Sequence, residues 1–368
     1  MHVMAEVSGA DRRAAKVLLF TGRHGDATFG TMNQPVASFL MPCRDASATV
    51  EAAVRSIFLQ TREDWELLLV DDGSLDDSVR RAADLAGTDP RVRILRRQRE
   101  GLVAALNAGV QAASANLILR MDADDICHPQ RLELMIQRAL LEPELAVVGS
   151  LVRIEPADHV TPGMRHYIDW LNSVVLFQEI TRDIFIESPF AHPSVMLRRD
   201  AVLAVGGYRD GPFPEDYDLW LRMHAAGHAM AKVPEVLLEW HDGPGRLTRT
   251  DPRYSPDAFR NLKAQHLAAT FLGTADQVQI WGAGPDGRKW RKALAPFGIT
   301  VCRHFDIDPR KIGRILEGNV PVMNFRDIGT FKGCPLLVAV GVKGARALIR
   351  RHLADLGWIE TVDFRCVQ

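Results

Sequence analysis

Hydrophobic and polar positions follow two different periods along residues 36–125. Short apolar runs, typical of buried strands, are separated by segments in which apolar residues recur every three or four positions, the period of an amphipathic helix. The predicted strands cover 36–41, 67–71, 92–95 and 117–122, and the predicted helices cover 50–58, 76–86 and 102–110. We expect Asp45 or Ser47 to cap the first helix. This succession predicts a doubly wound, mainly parallel α/β sheet.

The pattern is less regular after residue 125 and resumes near residue 276. The middle of the chain has predicted strands at 146–154, 194–197 and 236–240 and predicted helices at 129–140, 215–226 and 257–271. The last part has predicted strands at 278–281, 300–305 and 336–340 and a predicted helix at 288–294. We therefore predict a poorly ordered leader (1–35), a first domain (36–250), a connecting helix (251–275) and a small Rossmann-like α/β domain (276–368).

Acidic turns follow two of the predicted strands. They are DADD at 122–125 and DDGS at 71–74. Carboxylates crowded at a strand end repel one another, so a site that keeps them usually binds a divalent cation, and such a cation suggests a bound phosphate. Ligands of open α/β sheets bind outside the carboxyl ends of the strands, where both turns fall. Together the turns indicate a nucleotide with its metal, although each alone is also explained as an ordinary turn or helix start.

Composition narrows the class of protein. The chain has 368 residues, 47% hydrophobic and 25% charged, which favours packed globular domains over extended disorder. The formal net charge of -1 provides no overall field for nucleic acid. No apolar run approaches the roughly 20 residues that span a bilayer, so a lipid-linked acceptor would be met from the water side by a peripheral protein. The five widely spaced cysteines favour reduced thiols and a cytoplasmic location.

An ordered set of motifs over residues 35–250 resembles the family 2 inverting glycosyltransferases, whose nucleotide-sugar-binding fold is of the GT-A type. The motifs are MP at 41–42, QT at 60–61, DDGS at 71–74, DADD at 122–125 with Pro129 and RL at 131–132, and EDYDLWLR at 215–222. Each motif is short, but their order along the chain is specific. The resemblance implies inverting transfer of a sugar from a nucleotide diphosphate sugar to a saccharide or lipid-linked saccharide hydroxyl, in polysaccharide or glycoconjugate synthesis.

The resemblance also implies a donor site. Pro42 and Arg44 match the edge of the base pocket, where many relatives have an aromatic residue at the position of Arg44. Asp72 matches a carboxylate that accepts a hydrogen bond from the base, and uridine is the base we expect first. Asp122 and Asp124 match the metal-site pair, with Asp124 the direct ligand and Asp122 nearer the ribose or a coordinated water. Mn²⁺ or Mg²⁺ there would offset charge growing on the leaving diphosphate.

Three further positions belong to this donor side. Asp125 either touches the donor sugar or caps the following helix, and we favour the cap. His241 stands where some relatives offer an imidazole to the metal or diphosphate, although single histidines are more often structural. Arg246 lies in a glycine-rich loop typical of a flexible lid, and we expect it to reach phosphate oxygens.

The acceptor side is assigned by the same resemblance. Asp216 matches the base that takes the proton of the acceptor hydroxyl while its oxygen attacks the anomeric carbon. Glu215 beside it would raise the proton affinity of the pair if both are partly buried. An acidic first turn of a helix explains these two residues without catalysis. His192 and Trp220 are also expected on the acceptor side, although a lone histidine is more often structural.

A glycine motif opens the second predicted domain. Gly282, Gly284 and Gly287 follow a strand and open a helix, and Asp306 comes about twenty residues later, as in a dinucleotide-binding fingerprint. The segment is similar to the small nucleotide-fold domain that precedes sugar acetyltransferases, through DIDP at 306–309 and GNVP at 318–321. Sugar or nucleotide binding at a second site, a subunit contact and an evolutionary relic all stay open here, and we favour contact or relic.

Three classes of function therefore compete. A metal-dependent glycosyltransferase accounts for the acidic motifs in their order. An NAD-dependent oxidoreductase centred on the C-terminal glycines leaves Asp122, Asp124 and Asp216 without a role. A non-catalytic sugar-nucleotide-binding protein would have no need of Asp216. We predict the first class.

Overall fold

The strands of the first sheet are largely buried because helices cover both of its faces. The computed structural model of the protein describes residues 34–157, 160–243 and 247–368. Within these residues the first sheet has eight strands: β1 Ala37–Cys43, β2 Trp65–Asp71, β3 Val92–Arg96, β4 Leu117–Arg120, β5 Ile126–Cys127, β6 Leu145–Glu155, β7 Met196–Arg198 and β8 Ala229–His241. Their order across the sheet is β3-β2-β1-β4-β7-β6-β8-β5.

Most neighbouring strands of this sheet are parallel. Parallel pairing joins β3, β2, β1 and β4, and it also joins β6 and β8. β7 runs antiparallel to both β4 and β6, and β5 runs antiparallel to β8. The predicted doubly wound, mainly parallel α/β sheet is confirmed. Because β1, β2 and β4 are parallel neighbours, their carboxyl ends lie at one edge of the sheet.

Two cores lie on the two faces of the first sheet. Its helices are α1 Val50–Phe58, α2 Ser78–Ala86, α3 Leu102–Ala112, α4 Arg131–Leu141, α5 Pro162–Ser173, α6 Phe177–Asp183, α7 Arg199–Ala204, α8 Glu215–Ala225, α9 Leu247–Thr250 and α10 Pro256–Ala269. In β1, Phe39 and Met41 belong to the core with α1 and α4, whereas Leu40 belongs to the core with α3. A Cβ on Gly109 would lie 1.9 Å from Leu40 Cδ1, so this glycine lets α3 approach the sheet closely. Among the described helices, none is long and apolar enough to cross a bilayer.

The start of α1 differs from the prediction. Its N-cap is Thr49 rather than Asp45 or Ser47. The two predicted caps bind the loop after β2 instead, because Asp45 Oδ1 accepts a hydrogen bond from the Leu75 amide at 2.8 Å and the Ser47 amide donates to Asp76 at 2.9 Å. The loops after β1 and β2 are therefore joined at the edge where the acidic turns lie.

A second α/β sheet follows α10. Its strands are β9 Gln277–Trp281, β10 Thr300–Asp306, β11 Ile315–Leu316, β12 Val320–Asn324, β13 Leu336–Val338 and β14 Phe364–Cys366, and its helices are α11 Pro285–Leu294 and α12 Ala345–Asp355. The order is β11-β12-β10-β9-β13-β14, and every pairing is parallel except that of β11 with β12. This is a small doubly wound sheet, as the predicted fold class requires. Its relation to the domains that precede sugar acetyltransferases stays a prediction.

Helix α10 packs against both sheets. Its Leu262 and Leu267 share one core with Val278 and Ile280 of β9 and with residues of the first sheet. Residues 34–368 accordingly form one compact unit, and the predicted boundaries at 250 and 275 stay predictions. The predicted leader over 1–35 lies almost entirely outside the described residues.

Gly287 and Gly284 provide a matched pair of substitutions in the second sheet. We expect Gly287→Ala to lower the free energy of unfolding by about 1–3 kcal/mol, because the added Cβ would lie 2.0 Å from the Gly282 carbonyl oxygen. Gly284→Ala should be nearly neutral, since no described atom lies within 4 Å of a Cβ at that position. Urea unfolding of both variants measures the difference. Equal stabilities would contradict the packing role of Gly287.

Candidate active site

The DADD turn is held between β4 and the end of β8. After β4 the chain turns and forms β5, which pairs with β8. Asp125 Oδ1 accepts a hydrogen bond from the His241 amide at 2.8 Å, which fastens the last residue of β8 to the turn. The preferred cap role of Asp125 is wrong, because α4 begins at Arg131 with Gln130 as its N-cap. The carboxylate serves a long-range contact instead.

Asp122, Asp124 and Asp125 form the carboxylate cluster of the turn. One carboxylate oxygen from each lies within 4.8 Å of the others. Asp122 is half-buried, Asp124 is exposed and Asp125 is buried. Burial, and then the charges of the other two carboxylates, raise the pKa of Asp125 well above its usual value.

The cluster fits a hard divalent cation. Its donors are carboxylate oxygens, and Asp125 Oδ2 is buried without a hydrogen-bond partner in the part of the chain that the structure describes. A cation would satisfy that oxygen and reduce the repulsion among the three charges. His241 is joined to the cluster through its amide, and its ring Nδ1 is likewise buried without a partner among the described residues. The cluster therefore contains the predicted Asp122 and Asp124 together with Asp125, while the role of His241 stays a prediction.

Arg120 supplies a buried positive charge to this cluster. Its side chain is 3% exposed, and its Nη1 lies 2.5 Å from Asp122 Oδ2. The charge of Arg120 also acts on Asp125, on His192 and on Asp216. No motif in the sequence pointed to Arg120. The sequence signal that could have identified it is an arginine at the end of an apolar strand. Such an arginine is expected to be buried, and a buried arginine requires a charged or polar partner.

Asp216 lies in the first turn of α8. Its side chain is half-buried, and Glu215 beside it is buried. Burial first, and then the charge of Glu215, raise the pKa of Asp216 to about 8. The Tyr217 amide donates a hydrogen bond to Asp216 Oδ1 at 2.7 Å. Asp216 can therefore exchange a proton near neutral pH, as a general base must.

Two tyrosines and a tryptophan position the polar groups around Asp216. The Tyr254 hydroxyl donates to Glu215 Oε2 at 2.6 Å, and the Tyr208 hydroxyl lies 2.9 Å from His192 Nε2. His192 is buried, and its burial together with the charge of Arg120 lowers its pKa well below the usual value, so its ring is neutral. Trp220 is fully buried and packs edge-on against the His192 ring. Because Trp220 is fully buried, its predicted place on the acceptor side stays a prediction.

The predicted base pocket lies at the carboxyl ends of β1 and β2. Asp72 is buried, and its carboxylate accepts hydrogen bonds from the amides of Glu100 and Gly101 at the start of α3. The Arg44 side chain is exposed, and its Nη1 lies 3.8 Å from Asp72 Oδ2. Pro42 is buried within β1. The structure thus brings Arg44 and Asp72 together at the edge that carries the DADD turn, and Arg246 lies outside the described residues.

The predicted second nucleotide site has a cavity, but its acid is already engaged. Asp306 accepts hydrogen bonds from the amides of Ala283 and Asp308, both at 2.9 Å, and from Lys311 Nζ at 3.0 Å. A cavity of about 200 Å³ lies beside Lys311 and the glycine turn. Asp306 therefore holds the glycine turn in place, and a second nucleotide site stays a prediction.

Comparison with known proteins decides the family. Residues 38–206 match the profile of glycosyl transferase family 2. Over 207 residues the chain is 32% identical to the amylovoran biosynthesis glycosyltransferase AmsE of Erwinia amylovora, which covers 56% of this chain and 75% of that relative. The chain belongs to glycosyl transferase family 2.

Two further comparisons extend the likeness of this family 2 glycosyltransferase. It is 25% identical over 197 residues to the Escherichia coli UDP-Gal:alpha-D-GlcNAc-diphosphoundecaprenol beta-1,3-galactosyltransferase, covering 53% of this chain and 70% of that one. Its fold resembles that of S. aureus TarS residues 1–349, solved in complex with UDP-GlcNAc, with a TM-score of 0.51, 14% identity and 71% of each chain covered. The predicted GT-A type of fold is confirmed by this likeness.

Arg120→Met tests the buried charge of the glycosyltransferase. Removing one partner of a buried ion pair typically costs about 3–5 kcal/mol of unfolding free energy. We expect the lower end of that range, because Asp122 is 31% exposed. Arg153→Met is the matched control: Arg153 pairs with Glu155 and Glu239 on the surface, so its loss should cost less than about 1 kcal/mol. Urea unfolding compares the two, and an Arg120→Met cost no larger than the control would contradict the stabilising pair.

Proposed function

We propose that this family 2 glycosyltransferase moves a sugar from a nucleotide diphosphate sugar to a hydroxyl acceptor, with inversion at the anomeric carbon. The observation that carries the proposal is the placement of a cation-compatible acidic turn and of Asp216, whose pKa is about 8, around the same buried Arg120. Both features suit an inverting transfer, since the leaving diphosphate needs charge compensation and the acceptor hydroxyl needs a base.

Asp122, Asp124 and Asp125 would hold Mn²⁺ or Mg²⁺, with His241 as a candidate further ligand. A bound cation of this kind would compensate charge on the diphosphate as the bond to the sugar breaks. Arg120 would orient Asp122, because the two side chains form a close ion pair. The partnerless Asp125 Oδ2 supports a direct contact with the cation.

Asp216 would act as the base. In its ionised form it accepts the proton of the acceptor hydroxyl while that oxygen attacks the anomeric carbon from the face opposite the leaving group. The bond from the anomeric carbon to the diphosphate oxygen breaks in the same step, and its electron pair leaves with the nucleoside diphosphate. Glu215, held by Tyr254, and the neutral His192 would line the acceptor side.

We infer a uridine diphosphate donor and a saccharide or lipid-linked saccharide acceptor. The names of the E. coli relative and of the TarS complex both contain a UDP-sugar, and the E. coli name specifies a diphosphoundecaprenol-linked acceptor. AmsE, by its name, takes part in amylovoran biosynthesis. Asp72 would accept a hydrogen bond from the base beside Arg44. Its carboxylate also accepts hydrogen bonds from two main-chain amides.

The two alternative functions have less support. An oxidoreductase centred on the glycine motif would need Asp306 for the cofactor ribose, and that carboxylate is engaged by three protein donors. A non-catalytic binding protein would not need the raised pKa of Asp216.

A thermal-shift panel followed by product analysis tests the proposal. UDP-galactose, UDP-N-acetylglucosamine, GDP-mannose and NAD are added with and without Mn²⁺, and the donor is expected to raise the Tm far more with the metal than without it. The selected donor is then incubated with saccharide acceptors, and NMR reads the anomeric configuration of the product. Stabilisation by NAD alone, or retention at the anomeric carbon, would contradict the proposal.

A further inference from the structure

Two cysteine thiols meet beside the second sheet, away from the acidic turn. Cys302 lies in β10 and Cys334 lies two residues before β13, and their sulfur atoms are 3.9 Å apart. Both side chains are half-buried, whereas the other three cysteines, Cys43, Cys127 and Cys366, are buried. We propose that Cys302 and Cys334 form a redox-active dithiol, which a small-molecule disulfide converts into an intramolecular disulfide.

The backbone around both cysteines is irregular, which allows the sulfurs to approach. A disulfide requires a sulfur separation of about 2.05 Å, so the two atoms must move closer by a small side-chain and backbone shift. The register of β10 against β9 shifts between Val301 and Arg303, which places Cys302 at a bulge. Gly333, next to Cys334, has a φ of 107°, a left-handed conformation natural to glycine. Neither cysteine is fixed within a regular ladder.

The position of the two sulfurs follows from the strand order. β10 and β13 flank β9, and the Sγ atoms lie 3.5 Å from the Val278 carbonyl and 3.8 Å from the Gln277 carbonyl at the start of β9. The thiols therefore reach toward each other across the first residues of one strand. A bond between them would join the two strands that β9 separates.

The electrostatic surroundings assign different roles to the two thiols. The hydrogen bond from Cys334, aided by the charge of Arg303, lowers the pKa of Cys302 to about 6, and the same contact raises the pKa of Cys334. Cys302 is accordingly the thiolate that attacks a disulfide, and Cys334 is the thiol that resolves the intermediate.

The reaction is a two-electron thiol–disulfide exchange. The Cys302 thiolate attacks one sulfur of a small-molecule disulfide such as oxidised glutathione, which forms a mixed disulfide and releases one thiolate. Cys334 then loses its proton and attacks Cys302 Sγ, which forms the protein disulfide and releases the second thiolate. The protein dithiol is oxidised, and the small disulfide is reduced to two thiols. The new bond encloses residues 302–334, which contain β11 and β12.

Mass spectrometry of the full chain tests the proposal. Folded protein is treated with oxidised glutathione, blocked with iodoacetamide and digested. We expect a cross-linked pair of peptides containing Cys302 and Cys334, a mass lower by two hydrogens, and a Tm that rises and returns to its first value with dithiothreitol. The buried Cys43, Cys127 and Cys366 serve as internal controls that stay unreacted in the folded protein.

Serine variants separate the two roles. Cys334→Ser is expected to retain a stable glutathione adduct on Cys302. Cys302→Ser is expected to react with oxidised glutathione much more slowly than the wild-type protein does. The unfolding temperature of each reduced variant checks that it is folded. Separate adducts on both cysteines of the wild-type protein, a disulfide between two copies of the chain, or unreacted thiols at both positions would each overturn the proposal.

Discussion

Replacing Asp216 by asparagine is expected to reduce kcat by about 10²- to 10⁴-fold, the usual contribution of a general base. Asparagine keeps the size of the side chain but cannot take the proton of the acceptor hydroxyl. Donor binding should be almost unchanged, because the base acts chiefly in the transition state. Initial rates with saturating donor and acceptor, together with donor titration by thermal shift, measure the two quantities.

The exposed Asp257 offers a matched control for this substitution. It lies in the first turn of α10 and is 76% exposed, so Asp257→Asn makes the same chemical change outside the site. Its turnover should equal that of the wild-type protein. Normal turnover in Asp216→Asn, with the control also normal, would remove the assignment of the base.

The raised pKa of Asp216 predicts the pH dependence of both catalysis and stability. The base that we propose acts in its ionised form, so kcat/KM should rise with pH through about 8. Stability should change in the opposite direction, because the folded-state pKa lies above the unfolded value of 3.8: this contribution is complete below pH 3.8 and is lost as the pH rises through about 8. The Tm of Asp216→Asn should accordingly rise relative to that of the wild-type protein between about pH 4 and pH 8 and level off above pH 8, and a constant difference over that range would contradict the shift.

Removing the divalent cation that we propose, or its proposed ligand Asp124, is expected to have the second large effect. A chelator should abolish turnover, and Mn²⁺ or Mg²⁺ should restore it. Asp124→Asn should lower turnover by about 10²- to 10³-fold even with excess metal, because a cation contributes several kcal/mol of charge stabilisation in such a reaction. The variant should also lose the joint stabilisation by donor and Mn²⁺ in a thermal-shift assay.

Asp84→Asn is the control for the acidic turn. Asp84 pairs with Arg80 on the surface of α2 and is 68% exposed, so its substitution should affect neither turnover nor metal response. Full activity of wild-type protein in the chelator would show that the reaction proceeds without a divalent cation. If the Asp124→Asn variant still bound donor together with Mn²⁺, the cation would have to bind at a site other than Asp124.

The arrangement of the sheet was predictable because it depends on local patterns. The apolar runs of β1, β2 and β4 and the periodic helices between them correspond closely to the observed elements. The rule that carboxyl ends of parallel strands share one edge then places Asp72 and the DADD turn at one edge of the sheet. No knowledge of distant contacts is needed for either step.

The function of individual polar side chains was less predictable because their partners are distant in sequence. Asp125 resembles a helix cap, but its partner His241 is 116 positions away. Asp218 and Arg222 have the i, i+4 spacing of a surface ion pair, yet both are buried. His266 of α10 lies 3.4 Å from Asp218, and helical periodicity cannot predict this contact because the two residues belong to different helices.

Sharing of α10 between the two sheets limits how this chain can be divided or recombined. A protein cut at residue 275 would lose Val278 and Ile280, which share a core with Leu262 and Leu267. The apolar side chains of α10 would then be exposed to solvent and would favour self-association. Lys263 would also lose its acceptor at the Val367 carbonyl, 104 positions further along the chain. Chimeras with related transferases should therefore exchange α10 and the C-terminal segment together.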